Sequence, residues 1–289
     1  MVTIGANAGV EHSALADVPV HTIAPSRTWL PLDLGELWQY RELLYFLVWR
    51  EVKVRYKQTA LGIAWAVIQP FFTMVVFSVF FGRFGKMPSD GLPYPIFAYC
   101  ALLPWQLFAF ALTESSNSVV ANQRLITKVY FPRLIIPIAA IGVGLTDFAI
   151  ALTLLAGMMV YYGIVPHAGF WTVPFWALFA VAAALAAGLW LSALNVRYRD
   201  IRYTLTFLTQ IWLFATPVAY PASIVPAHWR PLYALNPMVG VVEGFRWALL
   251  GSAQAPGIMT VISAGVVCLT LIGGLFYFRR TERTFADVV

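Results

Sequence analysis

Residues 43–70 read LLYFLVWREVKVRYKQTALGIAWAVIQP, a cationic helical stretch that runs straight into an apolar one. On a helical wheel Tyr45, Val48, Trp49, Val52 and Tyr56 follow the i, i+3, i+4, i+7 rule and form an aromatic-rich stripe. Arg50, Lys53 and Lys57 share the neighbouring face, and Glu51 and Arg55 have i,i+4 spacing. The pattern predicts an amphipathic helix in the headgroup layer, with the stripe in the acyl boundary and the cations toward anionic phosphates. The competing reading is the first turns of a transmembrane helix with snorkelling ends. The five charges of residues 50–57 oppose it, because each charge at a bilayer centre costs about 2.5–3.5 kcal/mol. Trp49, Arg50, Lys53, Arg55 and Tyr56 are the candidate interface residues. Upstream, Asp33 and Glu36 have capping-box spacing, so the interface helix is expected over 34–57.

Composition extends this reading to the whole chain. Of 289 residues, 60% are hydrophobic and 11% charged, against about 25% charged in soluble domains. An all-α polytopic membrane protein follows. The formal charge of +6 would suit nucleic acid, but the cations cluster beside apolar stretches and so mark topology instead. Residues 1–33 lack an apolar h-region and are expected to be a flexible cytoplasmic tail, not a signal peptide. Cys100 and Cys268 sit inside apolar stretches, and His12, His21, His167 and His228 are scattered, so no metal site is expected.

Six spans are predicted: 61–82, 94–113, 134–162, 170–194, 203–220 and 258–278. The third is about 29 residues, or about 43 Å, longer than an about 30 Å hydrocarbon core, so it tilts or projects. Pro70 and Pro217 interrupt the first and fifth. Residues 117–133 form a polar segment. A helix over 122–129 would present Arg124 and Lys128 at i,i+4 before Pro132 ends it; the same charges also suit an ordinary cytoplasmic loop. Residues 221–237 hold four prolines, and the apolar 238–251 that follow are too short to span. A re-entrant hairpin over 221–251, dipping in from the outer face, is expected; a seventh, broken span is the alternative. Glu243 and Arg246 fall inside it at i,i+3 spacing. With six spans, fifteen of the 19 Lys and Arg lie on the side of both termini, which the positive-inside rule makes cytoplasmic. Residues 34–283 then form one transmembrane domain, and 284–289 a cytoplasmic end.

No phosphate-cradling G-x-x-x-x-G-K-[ST], H-E-x-x-H or G-x-S-x-G occurs, so no catalytic residues are expected. Asp147 is the one clear carboxylate inside a span. It suits either an ion-coupled site or a pair with a neighbouring helix end. Trp65, Phe71, Phe72, Tyr99, Trp105, Phe108 and Phe110, with Gln69 and Gln106 as polar rims, suit a conduit whose ring faces stack on sugars; lipid-facing belts are the alternative for any one of them.

Four ordered stretches, LVWREVKVRYKQTALGIAWAVIQP (47–70), LITKVYFPRLIIPIA (125–139), NVRYRDIRYTLTFLTQIWLFATPVAYP (195–221) and LYALNPMVGVVEGFRWALLG (232–251), resemble the transmembrane permease of ABC type-2 polysaccharide exporters, which move O-antigen, capsule and teichoic acid chains. The resemblance covers about 38–280 and implies two permease copies with two ABC ATPase subunits in the bacterial inner membrane. It implies that ATP and Mg are bound by the partner, with no cofactor in this chain and no nucleic acid. It makes Arg124, Lys128, Tyr130 and Pro132 a coupling element for the ATPase. It makes Tyr220, Pro221, Asn236, Pro237, Glu243 and Arg246 a periplasmic gate hairpin, and the aromatics a channel for a lipid-linked polysaccharide. Thr127 departs from the family, whose members often carry a second Lys there. The remaining readings are the same architecture exporting a drug or small lipid, a secondary carrier, or a membrane-embedded glycan enzyme.

Overall fold

The computed structural model describes residues 34–57, 62–198, 200–251, 255–282 and 285. Asp33 of the capping box, the tail 1–33, residue 61, Arg199, Arg283, and residues 284 and 286–289 lie outside them. The described residues form helices and turns, with no strand among them. Helix α1 (Leu34–Gln39) and α2 (Arg41–Lys57) divide at Tyr40 the single helix expected over 34–57. A 3-10 turn (Gly62–Ala64), α3 (Trp65–Phe77) and a π-helical stretch (Ser78–Phe84) follow as one helical run. Next come α4 (Tyr94–Ala121), α5 (Gln123–Ile126), α6 (Ile135–Tyr162), α7 (Val173–Arg197), α8 (Ile201–Phe214), α9 (Arg230–Tyr233), α10 (Pro237–Leu250) and α11 (Ile258–Thr281).

Among the described residues five helical runs are long and apolar enough to cross a bilayer: Gly62–Phe84, Tyr94–Ala121, Ile135–Tyr162, Phe170–Arg197 and Ile258–Thr281. The segment expected as a span over 203–220 is instead the 14-residue α8, which stops at Phe214. Pro217 explains the stop. It has no N–H, its ring would strike the carbonyl of Leu213, and it disfavours helical geometry at Thr216.

Helix α4 is the axis of the bundle, touching α3, α6, α7, α8 and α10. It outruns its expected end at Thr113 because the polar residues that follow are satisfied in place. Ser115 and Ser116 donate to Leu112 O, Ser118 donates to Ser115 O, and Asn195 Nδ2 of α7 donates to Ser116 O and Asn117 Oδ1 at 3.0 Å each. Between apolar helices in lipid, close backbone approach and such bonds replace the hydrophobic drive. A Cβ on Gly188 of α7 would fall on Ser115 Oγ, so the glycine lets the two helices approach with the serine hydroxyl in its present rotamer.

Helix α10 is as closely held. A methyl on Gly244 would lie 2.5 Å from the Trp176 ring, and one on Gly240 would lie 3.2 Å from Ser263. The left-handed Gly251, at φ +64°, ends the helix. Its bounds fall within one residue of the 238–251 read from the sequence.

Candidate functional site

At the hairpin, the side chains of 215–250 are tied to one another and to α4. Asn236 caps α10, its Oδ1 accepting from Met238 N at 3.1 Å and from Trp212 Nε1 at 2.9 Å. Its Nδ2 donates to Ala215 O at 3.1 Å and Thr216 Oγ1 at 3.0 Å. Asn236 therefore joins the broken end of α8 to the start of α10, with Pro237 in the first turn, where its missing N–H costs nothing. Arg246 is fully buried. Nη2 donates to Val218 O at 2.9 Å, Nη1 donates to Tyr220 O at 3.3 Å and to Glu243 Oε1 at 3.1 Å, and the guanidinium lies over Phe97 of α4. The Glu243–Arg246 spacing thus becomes an ion pair. Tyr220 and Tyr233 share a hydroxyl contact of 3.0 Å, with Pro221 buried beside it. Burial, and next that hydrogen bond, hold the Tyr233 phenol well above its usual range.

At the other end, α5 and the turn after it form a small knob. Ile126 and Phe131 are buried, at 5% exposure each, and Pro132 with them; Arg124, Lys128, Val129 and Tyr130 point outward. The helix expected over 122–129 is shorter, four residues of α5, but backbone bonds from Lys128 N and Val129 N to Leu125 O continue its curl.

Helix α2 packs on α6. Its stripe is divided: Tyr45 and Trp49 are 72% and 49% exposed, whereas Val48, Val52 and Tyr56 are half-buried. Lys53 Nζ sits 4.2 Å from the Trp49 ring centroid, and Arg50 bonds Glu51 and, at 3.0 Å, Asn122 Oδ1. Arg55 pairs with Asp147 Oδ2 at 2.8 Å, and the Tyr56 hydroxyl donates to the other Asp147 oxygen. Burial, then the Asp147 hydrogen bond, raises the Tyr56 phenol well above its ordinary value. Of the two readings of Asp147, the structure shows the pair with a neighbouring helix end.

Of the predicted conduit residues, Trp65, Gln69 and Trp105 come together on one cavity of about 410 Å³ between α3, α4 and α6, with Gln106 beside them. Phe72 is 61% exposed and does not line it. Tyr99 and Phe108 are fully buried and belong to the core: Tyr99 donates to Ala151 O at 3.1 Å, and Phe108 packs edge-on against Trp212. Phe110, also in the predicted aromatic set, lies on the same wall, and sequence reasoning missed Thr113 and Glu114 there. The signal is the helical period of α4, obscured because the predicted span ends at Thr113. Among the described residues no group of His, Cys, Asp or Glu is arranged to hold a metal ion.

Several apolar helical runs of spanning length, with cavities between the helices, define a multi-pass membrane protein. Residues 42–250 match the family model described as ABC-2 type transporter. The chain belongs to that family of membrane transporters. It is 31% identical over 260 residues to the O-antigen export system permease protein RfbA of Myxococcus xanthus, covering 88% of this chain and 98% of that one. It is 24% identical over 258 residues to the RfbA of Klebsiella pneumoniae, covering 89% and 97%. To the polysialic acid transport protein KpsM of Escherichia coli it is 24% identical over 239 residues, covering 81% and 91%.

Proposed function

We propose that the chain is the channel-forming subunit of an ATP-driven exporter that moves a lipid-linked polysaccharide of O-antigen type from cytoplasm to periplasm. The observation that carries this reading is the end-to-end likeness to the Myxococcus xanthus O-antigen export permease, which spans 98% of that protein. On this reading ATP and Mg are bound by separate subunits, two ABC ATPases seated under two copies of this chain; the lack of a phosphate-cradling motif in the sequence supports it. Here α8 and the turn at 215–220, buried over 216–219, act together as the sixth crossing, α10 and its prolines form a re-entrant gate hairpin at the periplasmic face, and α2 lies at the cytoplasmic interface. Both termini are cytoplasmic, in the inner membrane. Arg124, Lys128 and Tyr130, held outward by Ile126, Phe131 and Pro132, meet the ATPase. The conduit wall includes Trp65, Gln69, Phe72 and Trp105, backed by Tyr99 and Phe108. Deleting the gene tests the reading: lipid-linked glycan accumulating inside the cell, restored to the surface by the intact gene, supports it, and a normal surface glycan refutes it.

A further inference from the structure

The apolar interior is divided in two. The larger cluster fills the bundle around α4, and a second gathers over the knob of α5. In the second, Ile126 and Phe131 of the knob share a cluster with Leu47 of α2, Val119 of α4 and Leu134 before α6. Phe278 of α11 and Phe285, beyond the end of α11 at Thr281, complete it. Both rings are buried, with centroids 5.3 Å apart and planes at 80°. The guanidinium carbon of Arg133, next to Pro132, lies 6.0 Å from the Phe285 centroid. Arg133 Nη1 is buried with no hydrogen-bond partner among the described residues, so the ring face stands in for the water that burial removes. A helix as short as α5 does not hold its shape alone, so the knob is kept in place by what lies beneath it. Within that floor, Phe285 links the knob to α11.

Helix α11 leads from this floor to the hairpin. Its 24 residues cover about 36 Å at 1.5 Å per residue. Midway it is locked to α7. A methyl on Gly273 or Gly274 would lie 2.9 or 3.0 Å from the Trp190 ring, and Trp190 Nε1 donates to Thr270 O at 3.0 Å. At the other end the buried Ser263 donates to Ala234 O at 2.8 Å, just before α10, and faces Gly240 within α10. Close-packed interiors transmit displacement and do not absorb it. A shift of the knob therefore has a stiff route, through Phe285 and α11, to the turn that carries Asn236 and the start of α10.

We infer that Phe285 is a positioning residue for transport: it fastens the ATPase-facing knob to α11, and α11 carries displacement of the knob to the gate hairpin. The inference rests on the reading of the knob as the ATPase seat and of 221–251 as the gate, and adds the element that connects them.

The test is hydrogen–deuterium exchange of the full chain in nanodiscs, alone and assembled with its co-expressed ATPase. In the chain alone, Phe285→Ala should speed exchange at Thr127 and Val129, whose amides bond Gln123 O and Leu125 O, by about tenfold, with α7 unchanged. In the wild-type assembly, ATP with vanadate should change exchange at Ala234, Asn236 and Val239 by at least about fivefold. Phe285→Ala should cut that response to less than about twofold, and Phe285→Leu, which refills most of the volume, should restore it. A residue that only stabilised the fold would lower the yield of complex and leave the response per complex intact. Phe285→Val serves where Phe285→Ala does not assemble. Wild-type exchange at the knob in the variant, a hairpin response that survives it, or no response in wild type overturns the inference. The export reading fails separately: it falls if gene deletion leaves surface glycan normal, whereas trapped glycan together with an intact hairpin response in the variant sinks the α11 connection alone.

Discussion

The guanidinium carbon of Arg246 lies 3.6 Å from the centroid of the Phe97 ring, on a side chain with no solvent exposure. The ring covers one face of the cation, while Glu243 and the carbonyls of Val218 and Tyr220 take its edge. Nε is buried without a partner among the described residues, and the bonds of Nη1 and Nη2 tie α10 to the turn after α8 while the ring contact ties it to α4.

Removing only the cation should be severe. Arg246→Met leaves the half-buried Glu243 carboxylate and two carbonyls without their donor, a loss of about 2–4 kcal/mol. The double variant Arg246→Met/Glu243→Gln should recover part of that loss, because no charge is stranded. Denaturant unfolding in detergent, compared across the single and double variants, measures both terms.

The seat of α2 on α6 depends on a glycine. A methyl at Gly142 would lie 2.4 Å from Val48 Cγ1, and the branched valine has little freedom to retreat. Gly142→Ala should cost about 1–3 kcal/mol and make α2 more accessible to protease. Val48→Ala in the same chain should restore protection, which a cycle of the two changes reads directly.

Tyr56 sets a pH signature on that seat. Its folded phenol is held above the usual value, so the neutral, donating form is favoured in the folded state. The stabilisation is fully present below the unfolded value of about 10 and is lost as pH rises through the folded one. Thermal stability of wild type relative to Tyr56→Phe should therefore stay constant from pH 6 to about pH 9 and narrow only in more alkaline buffer. A difference that collapses near neutral pH would contradict the Tyr56–Asp147 contact.

At the exposed knob, Arg124→Glu with Lys128→Glu should reduce recovery of the co-expressed ATPase by at least about tenfold, since reversed charge at a docking surface costs several kcal/mol. Expression of the permease should be unaffected, because both side chains point outward. Equal co-purification would remove these residues from the docking surface.

Much of the architecture was legible from hydropathy and breakers. The apolar runs and the prolines placed α3, α6, α7 and α11, and the short apolar stretch before Gly251 placed α10 to within one residue. What escaped reading depended on partners distant in sequence. The serines after Thr113 look like a loop until Asn195 and their own helix satisfy them, and α4 then carries on to Ala121. The 203–220 segment has spanning length on hydropathy alone, yet Asn236 bonds to Ala215 and Thr216 where α8 gives way. The conduit set divided because an all-apolar helix has no periodicity to say which ring is inward: Trp65 and Trp105 reach the cavity, while Tyr99 and Phe108 fill the core.

The two glycines of α10 have a mechanical consequence. With Trp176 and Ser263 pressed against its backbone, this helix fits like a tenon in a mortise and has no slack for sliding sideways. Any sideways displacement of α10 must carry α7 and α11 with it, so the unit of motion is a three-helix block and the hinges belong at the block's edges.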